Sequence, residues 1–143
     1  MRVFMDANVL FAAAISPEGR SAALFAFAKR KVCTLLASMH AITEVRRNLE
    51  GRYPDALIRF EQLVHDLTIV PEASPSRVIW ARQQGLPDED APIFAAAIEA
   101  GAAVLVTGDR RHFGNLFGRT FEGMRVLRLG PTLGLLLDQR AKT

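Results

Sequence analysis

Carboxylates stand at five positions where a fold can turn them on a reacting group. Asp6 and Asp109 follow short apolar runs, Glu44 lies one to two turns into a predicted helix, and Asp88 and Asp90 open another. In open α/β sheets ligands bind outside the carboxyl ends of the strands, near the point where strand order reverses, so these acids can converge on one edge. Each also has a plainer use: the aspartates suit helix caps or turns, and Glu44 a water-facing helix side. Gathered within several ångströms, four carboxylates repel one another by roughly a few kcal/mol per pair at intermediate dielectric, and need raised pKa values or a counter-cation. A divalent metal meets that need. Oxygen donors without Cys or clustered His favour hard Mg2+ or Mn2+ over zinc, and the chemistry that follows is phosphoryl transfer.

Other side chains invite a role beside them. His40 is placed in the first turn of one helix and His65 near the end of another, so only His112, three residues past Asp109, is expected beside an acid. Phe113, Phe117 and Phe121 recur every four positions and can stack on bases, but Gly114 and Gly118 weaken a helix there, and packing onto the core is the expected role. Arg46, Arg47 and Arg52 follow Glu44 and flank either a phosphate path or a solvated helix face. From Arg110 to Thr143 seven bases face two acids, a net +5 that leaves −2 for the rest of a chain whose total is +3. That asymmetry suits a polyanion-binding surface as well as a merely solvated one.

The elements that must position these residues alternate in type. Arg2–Met5 reads as a buried strand ending at Asp6, and Ser21–Arg30, rich in Ala with bases at its end, as a helix. A second strand follows at Val32–Ala37. Ser38 caps a helix through Ile42, Val45 and Leu49 to Gly51, and Pro54 opens another with Leu57, Phe60, Leu63, Val64 and Leu67 on one face. Thr68–Val70 is the third strand. Two helices follow, one from Ser74 to Gly85 and one from Ala91 to Ala100 with Pro92 in its first turn. Ala103–Thr107 is the fourth strand, Arg125–Leu129 the fifth, and Pro131–Arg140 a closing helix. Short apolar strands alternating with helices specify an α/β fold with a parallel sheet.

The 143 residues fit one domain spanning 1–143, and with half of them hydrophobic the chain can bury a core, which excludes disorder and fibrous classes. No stretch approaches the roughly 20 apolar residues that span a bilayer. Asp6, Asn8 and the turn Ser16-Pro17-Glu18-Gly19-Arg20 interrupt the apolar N-terminus, so neither a membrane span nor a signal peptide is expected. The lone Cys33 offers no internal disulfide, which suits the reducing cytoplasm.

Four segments together carry a specific resemblance: Val3-Phe4-Met5-Asp6-Ala7-Asn8-Val9-Leu10; Ile42-Thr43-Glu44; Asp88-Glu89-Asp90-Ala91-Pro92-Ile93-Phe94-Ala95-Ala96-Ala97; and Leu105-Val106-Thr107-Gly108-Asp109-Arg110-Arg111-His112-Phe113. From Arg2 to about Leu129 the chain resembles the PIN-domain nucleases, and among them the VapC-type toxins of bacterial toxin–antitoxin pairs. The resemblance implies a three-layer sandwich with a five-stranded parallel sheet, and single-stranded RNA cut at an Mg2+ or Mn2+ centre to leave 5′-phosphate and 3′-hydroxyl ends. It casts Asp6, Glu44, Asp90 and Asp109 as metal-holding catalytic acids, with Asn8 and Thr107 as supports. Asp88 is an auxiliary acid, because the family phrase starts at Asp90. Arg46, Arg47, Arg110 and Arg111 are the expected RNA contacts. A small antitoxin and a second copy of the chain are the implied partners. A receiver-type signalling domain fits less well, since Asp6 is followed by Ala7 and the third strand by Pro71-Glu72. A nucleotide-binding module would need a Gly-rich phosphate loop that is missing here.

Overall fold

A computed structural model describes residues 1–142 of the chain. Six strands, β1 (Arg2–Met5), β2 (Thr34–Ser38), β3 (Thr68–Val70), β4 (Val104–Val106), β5 (Thr120–Phe121) and β6 (Met124–Leu127), form one sheet. Their order is β3-β2-β1-β4-β6-β5, parallel throughout except where β5 runs against β6. The helices are α1 (Ala7–Ile15), α2 (Arg20–Lys29), α3 (Met39–Arg52), α4 (Leu57–His65), α5 (Pro75–Arg82), α6 (Ala91–Glu99), α7 (Arg110–Phe113) and α8 (Leu129–Ala141). Among the described residues no helix is long and apolar enough to cross a membrane.

Helices cover both faces of the sheet, so the central strands β1, β2 and β4 are apolar on both sides over most of their length. Val3 and Met5, Leu35 and Ala37, and Val104 and Val106 join the core beneath α1 to α4 and α8. The alternate residues Phe4, Leu36 and Leu105 point the other way, into the core beneath α5 and α6. Phe113 and Phe121 belong to that second core and are buried, as their expected packing role requires.

The fold class is the expected one, and its elements differ in several places, among them the short α7, which was not expected. A sixth strand is present, because Glu122 and Gly123 both take positive φ, 49° and 87°, and close a two-residue hairpin between β5 and β6. Helix α1 has no counterpart among the expected elements. It is apolar almost all round, with Val9, Leu10, Ala13 and Ala14 buried, and so lacks the two-faced pattern that marks a surface helix. Helix α8 starts at Leu129, with Pro131 accommodated in its first turn.

The chain lays β1, β2 and β3 outward in one direction, then crosses back to place β4 on the other side of β1. Strand order therefore reverses between β1 and β4. Asp6 is the first residue beyond one of these strands, and Thr107-Gly108-Asp109 the first three beyond the other.

Candidate metal centre

At the β1 end, Asp6 is 6 % exposed and serves as the N-cap of α1, taking the Ala7 N–H on Oδ1 at 2.8 Å. Its other oxygen accepts from the Thr107 hydroxyl at 2.8 Å and from Asn8 Nδ2 at 3.3 Å. Thr107, fully buried at the end of β4, also accepts the Asp109 N–H at 3.1 Å, while Asn8 Oδ1 takes the Gly108 N–H at 3.0 Å. One hydroxyl and one amide thus lock the two strand ends together. Asn8 and Thr107, the two expected supports, both contact the Asp6 carboxylate.

At the β4 end, Asp109 caps α7. Its Oδ1 accepts the N–H groups of Arg111 and His112, each at 3.0 Å. That leaves Oδ2 free, and His112, one helical turn on, brings Nδ1 to 3.1 Å from it. The same nitrogen lies 2.8 Å from Asp90 Oδ2, and Nε2 lies 3.7 Å from Glu89 Oε1. Asp90 holds the N-cap position of α6 without any capping bond from its side chain. Glu44 reaches the cleft from α3, a helix started by the Ser38 hydroxyl on the Ala41 N–H.

These groups line a cleft of about 430 Å3. Burial raises the Asp6 pKa above the ordinary carboxylate range against the pull of its Thr107 and Ala7 hydrogen bonds, and the charges of Asp109 and Glu44 raise it further. Burial likewise pushes Asp90 up to about 6; His112 opposes the rise, and Asp6, Asp109 and Glu89 add to it. Asp90 Oδ2 is buried with no hydrogen-bond partner among the described residues, since the nearby imidazole does not direct an N–H at it. Mutually repelling carboxylates with an unpaired buried oxygen are the electrostatic signature of a cation site. The donor set fits a hard divalent ion.

The family model for the PIN domain matches residues 2–111, which contain all four acids. The chain belongs to the PIN-domain family. Among curated proteins, none is significantly similar to it. Solved structures share the fold of this PIN domain at low identity. PAE2754 from Pyrobaculum aerophilum superposes with a TM-score of 0.69 at 19 % identity, with 96 % of each chain covered. A structure of VapBC2 from Rickettsia felis, bound to a DNA fragment from their promoter, gives 0.64 at 16 % identity, covering 90 % of this chain and 98 % of that one. VapBC-1 from nontypeable Haemophilus influenzae gives 0.58 at 14 %, covering 91 % and 99 %.

The PIN domain brings Asp6, Glu44, Asp90 and Asp109 to one cleft and leaves Asp88 outside it. Asp88 is 88 % exposed and faces Arg82 at 3.3 Å. Of the four expected RNA contacts none lines the cleft: Arg47, Arg110 and Arg111 are exposed, and Arg46 is engaged in a two-pronged pair with Glu61 of α4, both bonds 2.8 Å. The expected separation of the histidines needs correcting, because His40 lines the same cleft as His112. The turn from β2 into α3 begins at Ser38, which carries His40 to the rim.

Sequence reasoning missed Glu89, the centrality of His112, and Phe11 and Asn48, which form a wall with Arg52, one of the bases placed beside Glu44 as flanking a phosphate path or a solvated face. The Arg52 guanidinium lies 5.9 Å over the Phe11 ring, whose edge meets Tyr53 at 5.8 Å. A signal for His112 was present: Asp109 as an N-cap with a histidine three residues later puts both on one side of a helix.

Proposed function

We propose that this PIN domain is a metal-dependent endoribonuclease that hydrolyses phosphodiester bonds in single-stranded RNA. In the same proposal it is the toxin of a toxin–antitoxin pair, working in the cytoplasm as a homodimer with a small cognate antitoxin as partner. The observation that carries the catalytic part is the buried, unpartnered Asp90 Oδ2 facing a cluster of like charges at the strand-order reversal. The likeness to VapBC2 and VapBC-1 supports the toxin part.

Asp6, Glu44, Asp90 and Asp109 would hold Mg2+ or Mn2+, and a bound ion supplies positive charge to the scissile phosphate and acidity to the attacking water. The protein's own work is positioning. Thr107, Asn8 and the Ala7 N–H fix the Asp6 carboxylate from three directions, so it needs no reorganisation when charge develops on the phosphate. Arg52 over Phe11 gives the cleft wall a phosphate-binding cation beside an aromatic face on which a base can stack. Arg110 and Arg111, just beyond Asp109, and Arg47 on α3 offer further phosphate contacts, while Arg46 holds α3 to α4.

Cleavage of a single-stranded RNA panel tests this. The parent is expected to cut with Mn2+ and to stop in EDTA, Asp6→Asn and Asp109→Asn to be inactive while folded, and a co-purifying antitoxin to silence the parent. Equal cleavage in EDTA would sink the proposal. One observation favours a second route: His40 and His112 line one cleft and could serve as the acid–base pair of a metal-free ribonuclease. EDTA-resistant cleavage lost in His40→Ala but kept in Asp6→Asn would select it.

A further inference from the structure

We infer that His112 is a nitrogen ligand of the metal centre, which makes the site selective for Mn2+ over Mg2+. The inference rests on the proposed metal dependence and deepens it. Residue 112 lies one position past the stretch matched by the family model, so nothing in that match assigns it.

Three features of the geometry point to ligation. First, Nδ1 stands 2.8 Å from Asp90 Oδ2 and 3.1 Å from Asp109 Oδ2. Donors at about 2.0–2.1 Å from an octahedral ion lie about 2.8–3.0 Å apart when adjacent, so these separations match the edges of one coordination shell. Second, the oxygens concerned are the ones left over. Asp109 uses Oδ1 to cap α7, and Asp90 Oδ2 has no hydrogen-bond partner among the described residues although Nδ1 is at bonding distance. The imidazole therefore approaches that oxygen without donating to it. Third, the far side of the ring faces Glu89 Oε1, 3.7 Å from Nε2. Ligating histidines regularly present their other nitrogen to a carboxylate, and Glu89 stands on that side of the ring, at a separation longer than a hydrogen bond. Donor atoms from Glu89, Asp90 and His112 all lie within 4.8 Å of one another.

A nitrogen donor changes the metal preference. Mg2+ takes oxygen and gains little from imidazole, whereas the divalent transition series binds nitrogen donors more tightly, Mn2+ being the weakest of that series. The site is thus mixed rather than all-oxygen.

Pulsed EPR of the Mn2+-loaded full chain, together with calorimetric titration of Mn2+ and of Mg2+, tests this without reference to activity. The parent should show a 14N coupling to Mn2+ that is absent in His112→Ala and His112→Gln and kept in His40→Ala. The ratio of Mn2+ to Mg2+ affinity should fall about tenfold or more in both His112 variants. Mn2+ binding without a nitrogen coupling in the parent, a coupling that survives in the His112 variants but disappears in His40→Ala, or an unchanged affinity ratio would overturn the assignment and leave the metal-dependent nuclease standing. Failure of the parent to bind Mn2+ at all would overturn both.

Discussion

Asp90 and Asp88, two residues apart, illustrate how little spacing says about environment. Asp90 is tucked beside His112 with its pKa at about 6, and Asp88 projects into solvent against Arg82. A carboxyl group whose folded-state pKa lies above its ordinary 3.8 holds its proton more tightly in the folded chain, so the metal-free protein loses stability as pH rises from about 4 to about 6 and loses no more from this group above that. Asp90→Asn should remove this group's part of the slope, leaving the part that the likewise raised Asp6 contributes, and reduce cleavage by about 100-fold or more, while Asp88→Asn should track the parent in both, since an exposed ion pair is worth at most about 1 kcal/mol. Urea unfolding at pH 4.5 and 7 with EDTA present, alongside cleavage rates, measures the two effects. Four of the acids in the cleft were legible because, although each alone suits a cap or a solvated helix side, their order along alternating strands and helices gathers them at one sheet edge. His112 was legible only as a histidine beside Asp109; that it also reaches Asp90 depends on how the cap of a four-residue helix aims it, and that shows only in the folded backbone.

At the scale of elements, regular strands and two-faced helices were readable, and elements whose pattern is uniform or very short were not. Helix α1 hides its turn-by-turn period because nearly every residue is apolar, and β5 has only two residues before a Glu122-Gly123 turn that lacks the usual Asn-Gly or Asp-Gly mark. That hairpin nevertheless anchors the α5–α6 side of the sheet. Phe121 meets the Phe94 ring edge-on at 5.2 Å, Phe94 stacks on Trp80 at 5.8 Å, and Arg77 of α5 pairs with Glu122 in the turn. Phe94 is fully buried on the helix that Asp90 begins. Phe94→Ala should cost about 3–5 kcal/mol in chemical denaturation, the range for removing a buried aromatic ring, and weaken Mn2+ binding by displacing Asp90. A loss below 1 kcal/mol would show that α6 is held by other contacts.

The whole molecule combines a crevice at the reversal of strand order with a basic C-terminal quarter. Arg110 and Arg111 are exposed next to Asp109, so RNA affinity should fall as salt rises, with a slope near −0.7 per phosphate contact. Removing both side chains in an Arg110→Ala/Arg111→Ala variant should lower the magnitude of that slope by about 1.4 in filter binding. An unaltered slope would place the phosphate path elsewhere, with the Phe11 and Arg52 wall the next candidate. The central claim, that carboxylates direct water to the phosphorus, is distinguished from the His40–His112 alternative by the ends of the cut strand. In-line attack by water leaves a 5′-phosphate and a 3′-hydroxyl, whereas attack by the RNA's own 2′-hydroxyl passes through a 2′,3′-cyclic phosphate. Mass spectrometry of fragments from an RNA carrying a single 2′-deoxy nucleotide at the scissile position should find cleavage with 5′-phosphate ends. A cyclic phosphate from the all-ribose strand, or complete resistance of the deoxy-substituted strand despite normal binding, would contradict the account.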